Sequence, residues 1–155
     1  MTTGPHAKLA ELGLALPEVA PPLAAYVPAV QSGRQVYVSG QLPLVEGKLL
    51  ATGKVGAGVS AEQAKDLAAR CALNALAAID ALVGLEAVVK IVKVTGFVAS
   101  APEFNDQPQV INGASELIGE IFGEDGLHAR SAIGVAELPL DAPVEVELVA
   151  EMGDS

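Results

Sequence analysis

The sequence is poor in the residues that link small proteins covalently or bind metals. Its 155 residues include one cysteine, Cys71, no tryptophan and two histidines, His6 and His128. A single cysteine excludes an internal disulfide and a zinc site built from several thiolates, and two distant histidines exclude a histidine-rich cluster. A chain of this length buries enough apolar surface to fold without such links.

Basic residues are also scarce. Nine lysines and arginines stand against nineteen acidic residues, which gives a formal net charge of −10. This charge opposes binding to nucleic-acid phosphates, because that affinity depends on clustered basic side chains. Small anions remain acceptable ligands, since salt screens the global charge beyond about 8 to 10 Å and one arginine acts at short range.

No apolar run reaches the roughly 18 residues of a membrane span, although 51% of the residues are hydrophobic. The first thirty residues contain five prolines, Glu11, Glu18 and a lone Lys8 instead of a charged leader segment, so we expect no signal peptide and a cytoplasmic protein without a membrane partner. Sequence signatures of serine hydrolases, nucleotide-binding loops and zinc proteases are missing as well. The glycines of "GKVGAG" lack the order that a phosphate-binding loop requires.

Hydrophobic periodicity and turn residues predict eight elements in one domain spanning residues 1–155. The predicted helices and strands are a short helix at 5–13, strands at 35–40 and 48–51, a helix from Ser60 to Gly84, a long strand within 88–100, a helix within 109–122, and strands at 130–136 and 144–150. "SAEQ" at the start of the first long helix fits a capping box.

The order β-β-α-β-α-β-β describes an α+β domain with two helices packed on one face of a mixed sheet. The other face of the sheet also has to be covered. The last two strands are not clearly amphipathic and the chain has no third long helix, so we expect a second subunit to cover that face.

Arg130 begins "RSAIGV", a stretch with no other charge. An unpaired guanidinium costs several kcal/mol to bury, so Arg130 needs solvent or a partner. Its planar fork suits a carboxylate, which it would bind through two parallel hydrogen bonds. A structural salt bridge to Glu145, Glu147 or another acid is the alternative.

Glu145 alternates with Val144 and Val146, so it points to the opposite face of its strand. On its own it fits an exposed strand charge. If the last two strands form a hairpin centred near Leu140, Glu145 lies opposite Val135, about 16 Å along the strand from Arg130. A site that uses both residues would then need side chains converging on a ligand, or an interface that joins two copies.

Other candidates have structural as well as functional interpretations. Tyr26 could anchor the proline-rich N-terminal arm, while Tyr37 lies within a strand and fits the core or an interface. Ser39 and Gly40 could end a strand, or their backbone could hold an oxygen of a small acid.

The remaining polar candidates are similarly open. Asn112 fits a surface position on a helix as well as a site. His128 fits a general base, or a structural loop histidine. Cys71 falls on the apolar stripe of the first long helix, which predicts a buried, inert thiol.

Three stretches together carry a resemblance: "AYVPAVQSGRQVYVSGQLP", "VVKIVKVTGFV" and "ARSAIGVAELPLDAPVEVELVA". They resemble the RidA (YjgF-like) family of reactive-intermediate deaminases, also labelled endoribonuclease L-PSP-like, from Tyr26 to Ala150. The resemblance implies a chorismate-mutase-like fold, a homotrimer and ligand clefts between subunits. It also implies hydrolysis of 2-imino or 2-enamino acids, such as 2-aminoacrylate, to 2-oxo acids and ammonia without a cofactor.

The resemblance also implies roles for individual residues. Arg130 matches the arginine that binds the substrate carboxylate, and Glu145 the acidic residue that places or activates water. The residues that match other cleft positions are Tyr26, Ser39, Gly40 and Asn112.

Ala132 stands where many family members have cysteine, and residues 1–25 form an N-terminal extension. These departures and His128 before "ARS" indicate a divergent subgroup. A non-catalytic module that binds small carboxylates therefore stays open as an alternative. A ribonuclease fits less well, because the chain is acidic and has no basic groove.

Overall fold

The computed structural model describes residues 4–22 and 24–154. Its helices are α1 (Pro5–Glu11), α2 (Ala61–Val83) and α3 (Gln107–Phe122), and its strands are β1 (Ala29–Ser32), β2 (Gln35–Gln41), β3 (Leu44–Val45), β4 (Lys48–Leu49), β5 (Val88–Ala99), β6 (Ala129–Val135) and β7 (Val144–Met152). Five strands form a sheet in the order β1-β2-β7-β5-β6, in which only the β5–β6 pair is parallel. The α+β prediction with a mixed sheet is confirmed, whereas the division into one domain with an extension at 1–25 stays a prediction.

Helix α2 begins and ends as its sequence predicts. The Ser60 side chain accepts a hydrogen bond from the Gln63 backbone at 3.1 Å, and Gly84 ends the helix with a φ of 83° that favours glycine. Cys71 is completely buried between α2 and the sheet. Burial raises the pKa of its thiol well above the usual range, as expected for an inert core cysteine.

Helices α2 and α3 lie on the same face of the sheet and cross closely. The alternate residues Val144, Val146 and Leu148 of β7 are buried beneath them. At the crossing, the backbone of Gly113 approaches the Lys65 carbonyl so closely that a Cβ would overlap the oxygen. Because a backbone carbonyl in a packed helix has little freedom to move, glycine is required at this position.

We expect Gly113→Ala to lower the free energy of unfolding by about 2 kcal/mol, because overpacking at the helix crossing outweighs the better helix propensity of alanine. Gly119→Ala is the matched control: it lies on the same helix, and a Cβ there meets nothing within 4 Å. The control should gain about 0.5 to 1 kcal/mol. Urea denaturation of both variants tests this, and equal changes would show that the crossing tolerates a side chain.

The structure corrects the pairing of the last two strands. β6 and β7 do not form a hairpin, because β5 lies between them and pairs parallel with β6 and antiparallel with β7. Glu145 is therefore level with Phe97 and Ile133, and the prediction that it lies opposite Val135 is wrong. Leu140, in the connection between β6 and β7, has a positive φ of 60°. This connection crosses the end of β5 and does not form a tight hairpin.

The first strands also differ from the prediction. β1 (Ala29–Ser32) was not predicted, and it forms a tight hairpin with β2 around Gly33, whose φ is 61°. The available signal for this turn was the dipeptide Ser32-Gly33, because serine followed by glycine is typical of turns. The strand predicted at 48–51 is shorter, Lys48–Leu49, and belongs to a separate two-stranded ribbon with β3.

The sheet face opposite the helices carries apolar side chains that nothing in the described residues covers. Val30 and Tyr37 pair across β1 and β2 and are each 50% exposed, and Ile133 of β6 is 45% exposed. Tyr37 is thus not a core residue of the single chain. Within the described residues, no helix is both long and apolar enough to cross a bilayer.

Candidate functional site

The candidate site residues fall into two groups on opposite faces of the sheet. Tyr26, Ser39, Gly40 and Glu145 line a cleft of about 380 Å³, which we call the Glu145 cleft. Arg130 and Asn112 contact each other on the helix-covered face, with His128 beside them. We call this second set, together with Ser115, the Arg130 group.

A β-bulge shapes one wall of the Glu145 cleft. Ser39 and Gly40 form an irregularity between the β2–β7 pairs Val38–Leu148 and Gln41–Val146. The Ser39 hydroxyl donates to the Val27 carbonyl at 2.6 Å, and its backbone N–H donates to the Pro28 carbonyl at 2.8 Å. The bulge therefore holds the segment that directly follows Tyr26, as expected of bulges that redirect a strand near a site.

Gly40 makes room for the Glu145 carboxyl group. A Cβ at Gly40 would overlap Oε2 of Glu145 and lie 2.9 Å from its Cδ. Glycine at this position is therefore a requirement of the carboxylate's location, since any larger residue would move the Glu145 side chain.

The Glu145 carboxyl group is half-buried in the cleft. Burial raises its pKa, and the neighbouring charge of Glu147 raises it further. Glu147 also lines the cleft. A half-buried carboxyl group with a raised pKa stays protonated to a higher pH than an exposed carboxyl group does. Such a group is suited to exchange protons with a bound ligand.

We expect Gly40→Ala to move the Glu145 carboxyl group out of its present position, because the added Cβ would overlap Oε2. The fold should persist, since the atoms displaced belong to the flexible end of a side chain. Gly58→Ala is the matched control, because a Cβ there meets nothing within 4 Å. NMR titration of the Glu145 carboxyl carbon and thermal melts of both variants test this: the titration should change in Gly40→Ala and match the wild type in Gly58→Ala. An unchanged Glu145 titration in Gly40→Ala would show that the cleft tolerates a Cβ at this position.

Arg130 is held against helix α3 by neutral oxygen atoms. Its Nη1 donates to Asn112 Oδ1 at 2.8 Å and to Ser115 Oγ at 3.2 Å, and its Nη2 donates to the Pro108 carbonyl at 3.3 Å. These contacts use three of the five N–H groups of the guanidinium. The remaining N–H groups, on Nε and Nη2, are adjacent donors for an anion.

The charge of Arg130 has no acidic partner within the described chain. The ion pairs among residues 4–22 and 24–154 do not include it. The alternative of a structural salt bridge to Glu145 or Glu147 of the same chain is therefore wrong. A guanidinium in a fixed orientation, half-buried and without a counterion, is suited to bind a small anion.

Ser115 was not predicted as a site residue, and His128 has partners that its sequence context did not suggest. Ser115 Oγ lies 2.9 Å from His128 Nε2, and His128 Nδ1 lies 2.6 Å from the Gly126 carbonyl. The available signal for Ser115 was its spacing: it follows Asn112 by three residues, which places both on one face of α3.

The two groups do not meet within one chain. Arg130 is level with Val94 and Leu148, whose side chains are buried under the helices, so Glu145 points to the other face. The two positions are two strands and three residues apart, about 10 Å across the sheet and about 10 Å along it. Either the groups act separately, or a second copy of the chain brings them together.

The residues of the described ranges do not include a cluster of three or more histidine, cysteine, aspartate or glutamate side chains that could hold a metal ion. The polar side chains of the two groups are carboxyl, hydroxyl, amide, imidazole and guanidinium groups, of which the guanidinium only donates hydrogen bonds and the ionised carboxylate only accepts them.

Known proteins and a family profile resemble this chain over most of its length. The profile of the family described as Endoribonuclease L-PSP matches residues 17–152. Protein TCP17 of Trypanosoma cruzi is 43% identical over 150 residues, which cover 96% of this chain and 94% of TCP17. A 2-iminobutanoate/2-iminopropanoate deaminase of Dermatophagoides farinae is 33% identical over 129 residues, which cover 83% of this chain and 86% of the deaminase. The crystal structure of Atu1372, a protein of unknown function from Agrobacterium tumefaciens, matches with a TM-score of 0.90 and 45% identity, and the match covers 96% of this chain and 92% of that one.

Proposed function

Because the chain belongs to the Endoribonuclease L-PSP family, also called the RidA (YjgF-like) family, we propose that it hydrolyses small 2-imino acids, and their 2-enamino tautomers, to 2-oxo acids and ammonia. The similar mite protein is named for this activity. The reaction needs a carboxylate anchor, a proton-exchanging group and water, and requires no cofactor. We also propose that the protein is cytoplasmic.

The observation that carries this proposal is the state of Arg130. The Arg130 guanidinium forms no ion pair within 4.0 Å in the described chain. Three neutral oxygens orient it, and they leave a pair of its N–H donors unused. A substrate carboxylate would accept both hydrogen bonds and supply the missing negative charge. The imino group would then lie at a fixed distance from the anchor.

Glu145 supplies the proton exchange in the proposed reaction. Water adds through its oxygen to the C=N carbon. One of its protons passes to the Glu145 carboxylate and from there to the imine nitrogen, which gives a neutral carbinolamine. Glu145 then carries the hydroxyl proton of the carbinolamine to the nitrogen, so that ammonia leaves as the C–N bond breaks and the C=O bond forms. Imines hydrolyse readily in water, so correct positioning and one proton-transfer group supply enough acceleration.

We further propose a homotrimer in which the Arg130 group of one subunit faces the Glu145 cleft of its neighbour. Two features support it: the groups lie on opposite faces of one sheet, and Val30, Tyr37 and Ile133 are exposed on the uncovered face. Burying that face between subunits would remove the apolar surface from water. Closed cyclic symmetry would give three equivalent sites.

The test is a competition assay. An amino-acid oxidase generates 2-iminobutanoate, and semicarbazide traps the fraction of imine that is not hydrolysed. We expect the purified protein to reduce semicarbazone formation in proportion to its concentration. Calorimetry with 2-oxobutanoate separates the alternative: binding without turnover would identify a carboxylate-binding module, and the absence of both would reject the proposal.

A further inference from the structure

A serine hydroxyl and an imidazole lie behind Arg130, on the side away from its unused donors. Ser115 Oγ lies between Arg130 and His128, 3.2 Å from Arg130 Nη1 and 2.9 Å from His128 Nε2. The other ring nitrogen of His128 lies 2.6 Å from the Gly126 carbonyl. Arg130, Ser115 and His128 are half-buried.

Elementary chemistry sets the direction of each hydrogen bond. The Gly126 carbonyl only accepts, so Nδ1 of His128 carries the hydrogen, and Nε2 of the neutral ring is an acceptor. The Arg130 guanidinium only donates. Ser115 therefore accepts from Arg130 through its oxygen and donates its own hydrogen to His128.

We propose that Ser115 and His128 are positioning residues, which fix the plane of the Arg130 guanidinium so that its free edge faces the substrate carboxylate. The inference rests on the proposed function, in which Arg130 is the carboxylate anchor. Asn112 and Pro108 hold Arg130 from other positions on α3, and without Ser115 the guanidinium turns about these two contacts. His128 acts through Ser115, because it keeps the hydroxyl hydrogen away from Arg130.

The two ring nitrogens of His128 can be tested separately. In His128→Gln the side-chain amide oxygen reaches the place of Nε2 and still accepts from Ser115. In His128→Asn the shorter amide reaches the place of Nδ1 and keeps only the bond to Gly126. We expect the KM for 2-iminobutanoate to rise about tenfold in His128→Asn and less than threefold in His128→Gln, while kcat stays within about threefold in both, because Glu145 is untouched.

Ser115 is tested by removing its hydroxyl and then restoring it. We expect Ser115→Ala to raise KM about tenfold, the effect of one hydrogen bond to a charged group, and Ser115→Thr to recover most of the loss. Glu116→Ala is the control, because Glu116 is the next residue of α3 and pairs with Lys65 at 3.2 Å. Its KM should not change. Equal KM values for His128→Asn and His128→Gln, or failure of threonine to rescue, would overturn the proposal.

A readout without substrate separates this inference from the proposed function. Nitrogen NMR of the wild type should show His128 protonated on Nδ1 and slow exchange of the Arg130 Nη1 hydrogens, with faster exchange in Ser115→Ala and His128→Asn. If the wild type neither binds 2-oxobutanoate nor hydrolyses imines, the proposed function fails. The exchange rates of the Arg130 Nη1 hydrogens still test whether Ser115 and His128 fix the guanidinium. Equal exchange rates in wild type and Ser115→Ala would reject it.

Discussion

Arg130→Ala should lower kcat/KM for 2-iminobutanoate by about 10²- to 10³-fold. In the proposed reaction Arg130 makes two charge-assisted hydrogen bonds to the substrate carboxylate, and truncating one partner of such a pair costs about 2 to 5 kcal/mol. The loss should fall mainly on KM, since Arg130 holds the substrate before and during the reaction. Steady-state kinetics with a range of imine concentrations measure both parameters.

Two further variants show which property of the Arg130 side chain matters for activity. Arg130→Lys keeps the charge but lacks the planar fork, so we expect only partial recovery of kcat/KM. Arg34→Ala is the matched control for removing an arginine: Arg34 pairs at the surface with Glu151 at 3.1 Å and Asp154 at 3.0 Å, and exposed pairs contribute about 1 kcal/mol or less. Full activity in Arg130→Ala would mean that another group binds the carboxylate.

Glu145→Gln should lower kcat by about 10²- to 10⁴-fold, the usual contribution of a positioned proton-transfer group. Gln keeps the shape of the side chain, so substrate binding at Arg130 should persist and KM should change little. Glu120→Gln, an exposed position on α3, is the control and should stay active. A Glu145→Gln enzyme with unchanged kcat would show that water is activated by another group.

The same substitution should change the pH dependence of stability. Because burial raises the folded-state pKa of Glu145 above its unfolded value, ionisation of this carboxyl group opposes folding. The stability that the wild type gains from the protonated carboxyl group is fully present below the unfolded-state pKa, and it is lost as the pH rises through the folded-state pKa. We therefore expect Glu145→Gln to melt at a higher temperature than the wild type at pH 8, and at the same temperature below about pH 4. The opposite order at pH 8 would contradict the raised pKa.

Local signals predicted the elements that depend on neighbouring residues. Helix α2 follows from the Ser60 cap, the apolar stripe that includes Cys71, and the stop at Gly84, all of which the structure confirms. The β1 strand was missed because "AVQS" is four residues long and has no clear alternation. Its pairing with β2 comes from the turn at Gly33.

Features that depend on distant parts of the chain could not be read from local patterns. The insertion of β5 between β6 and β7 is a choice among topologies that have the same element order. The contacts of Arg130 with Asn112 and Ser115 arise from packing of α3 on the sheet. The hairpin expected from the sequence separates Arg130 and Glu145 along the strands. The structure also separates them, because they lie two strands apart and on opposite faces of the sheet.

The central claim is that one site uses Arg130 from one subunit and Glu145 from another. Mixing Arg130→Ala and Glu145→Gln, both of which should be nearly inactive at substrate concentrations well below the wild-type KM, tests it directly. In a mixed cyclic trimer, one of the three interfaces joins an intact Arg130 to an intact Glu145. After equimolar co-refolding, random assembly should therefore restore about a quarter of the wild-type turnover.

Each variant refolded alone should stay inactive, and a double variant that carries both changes should restore nothing when mixed with either single variant. Activity near a quarter of the wild-type value in the Arg130→Ala and Glu145→Gln mixture is the predicted result. No gain in turnover from a mixture that has assembled into hetero-oligomers would contradict the composite site.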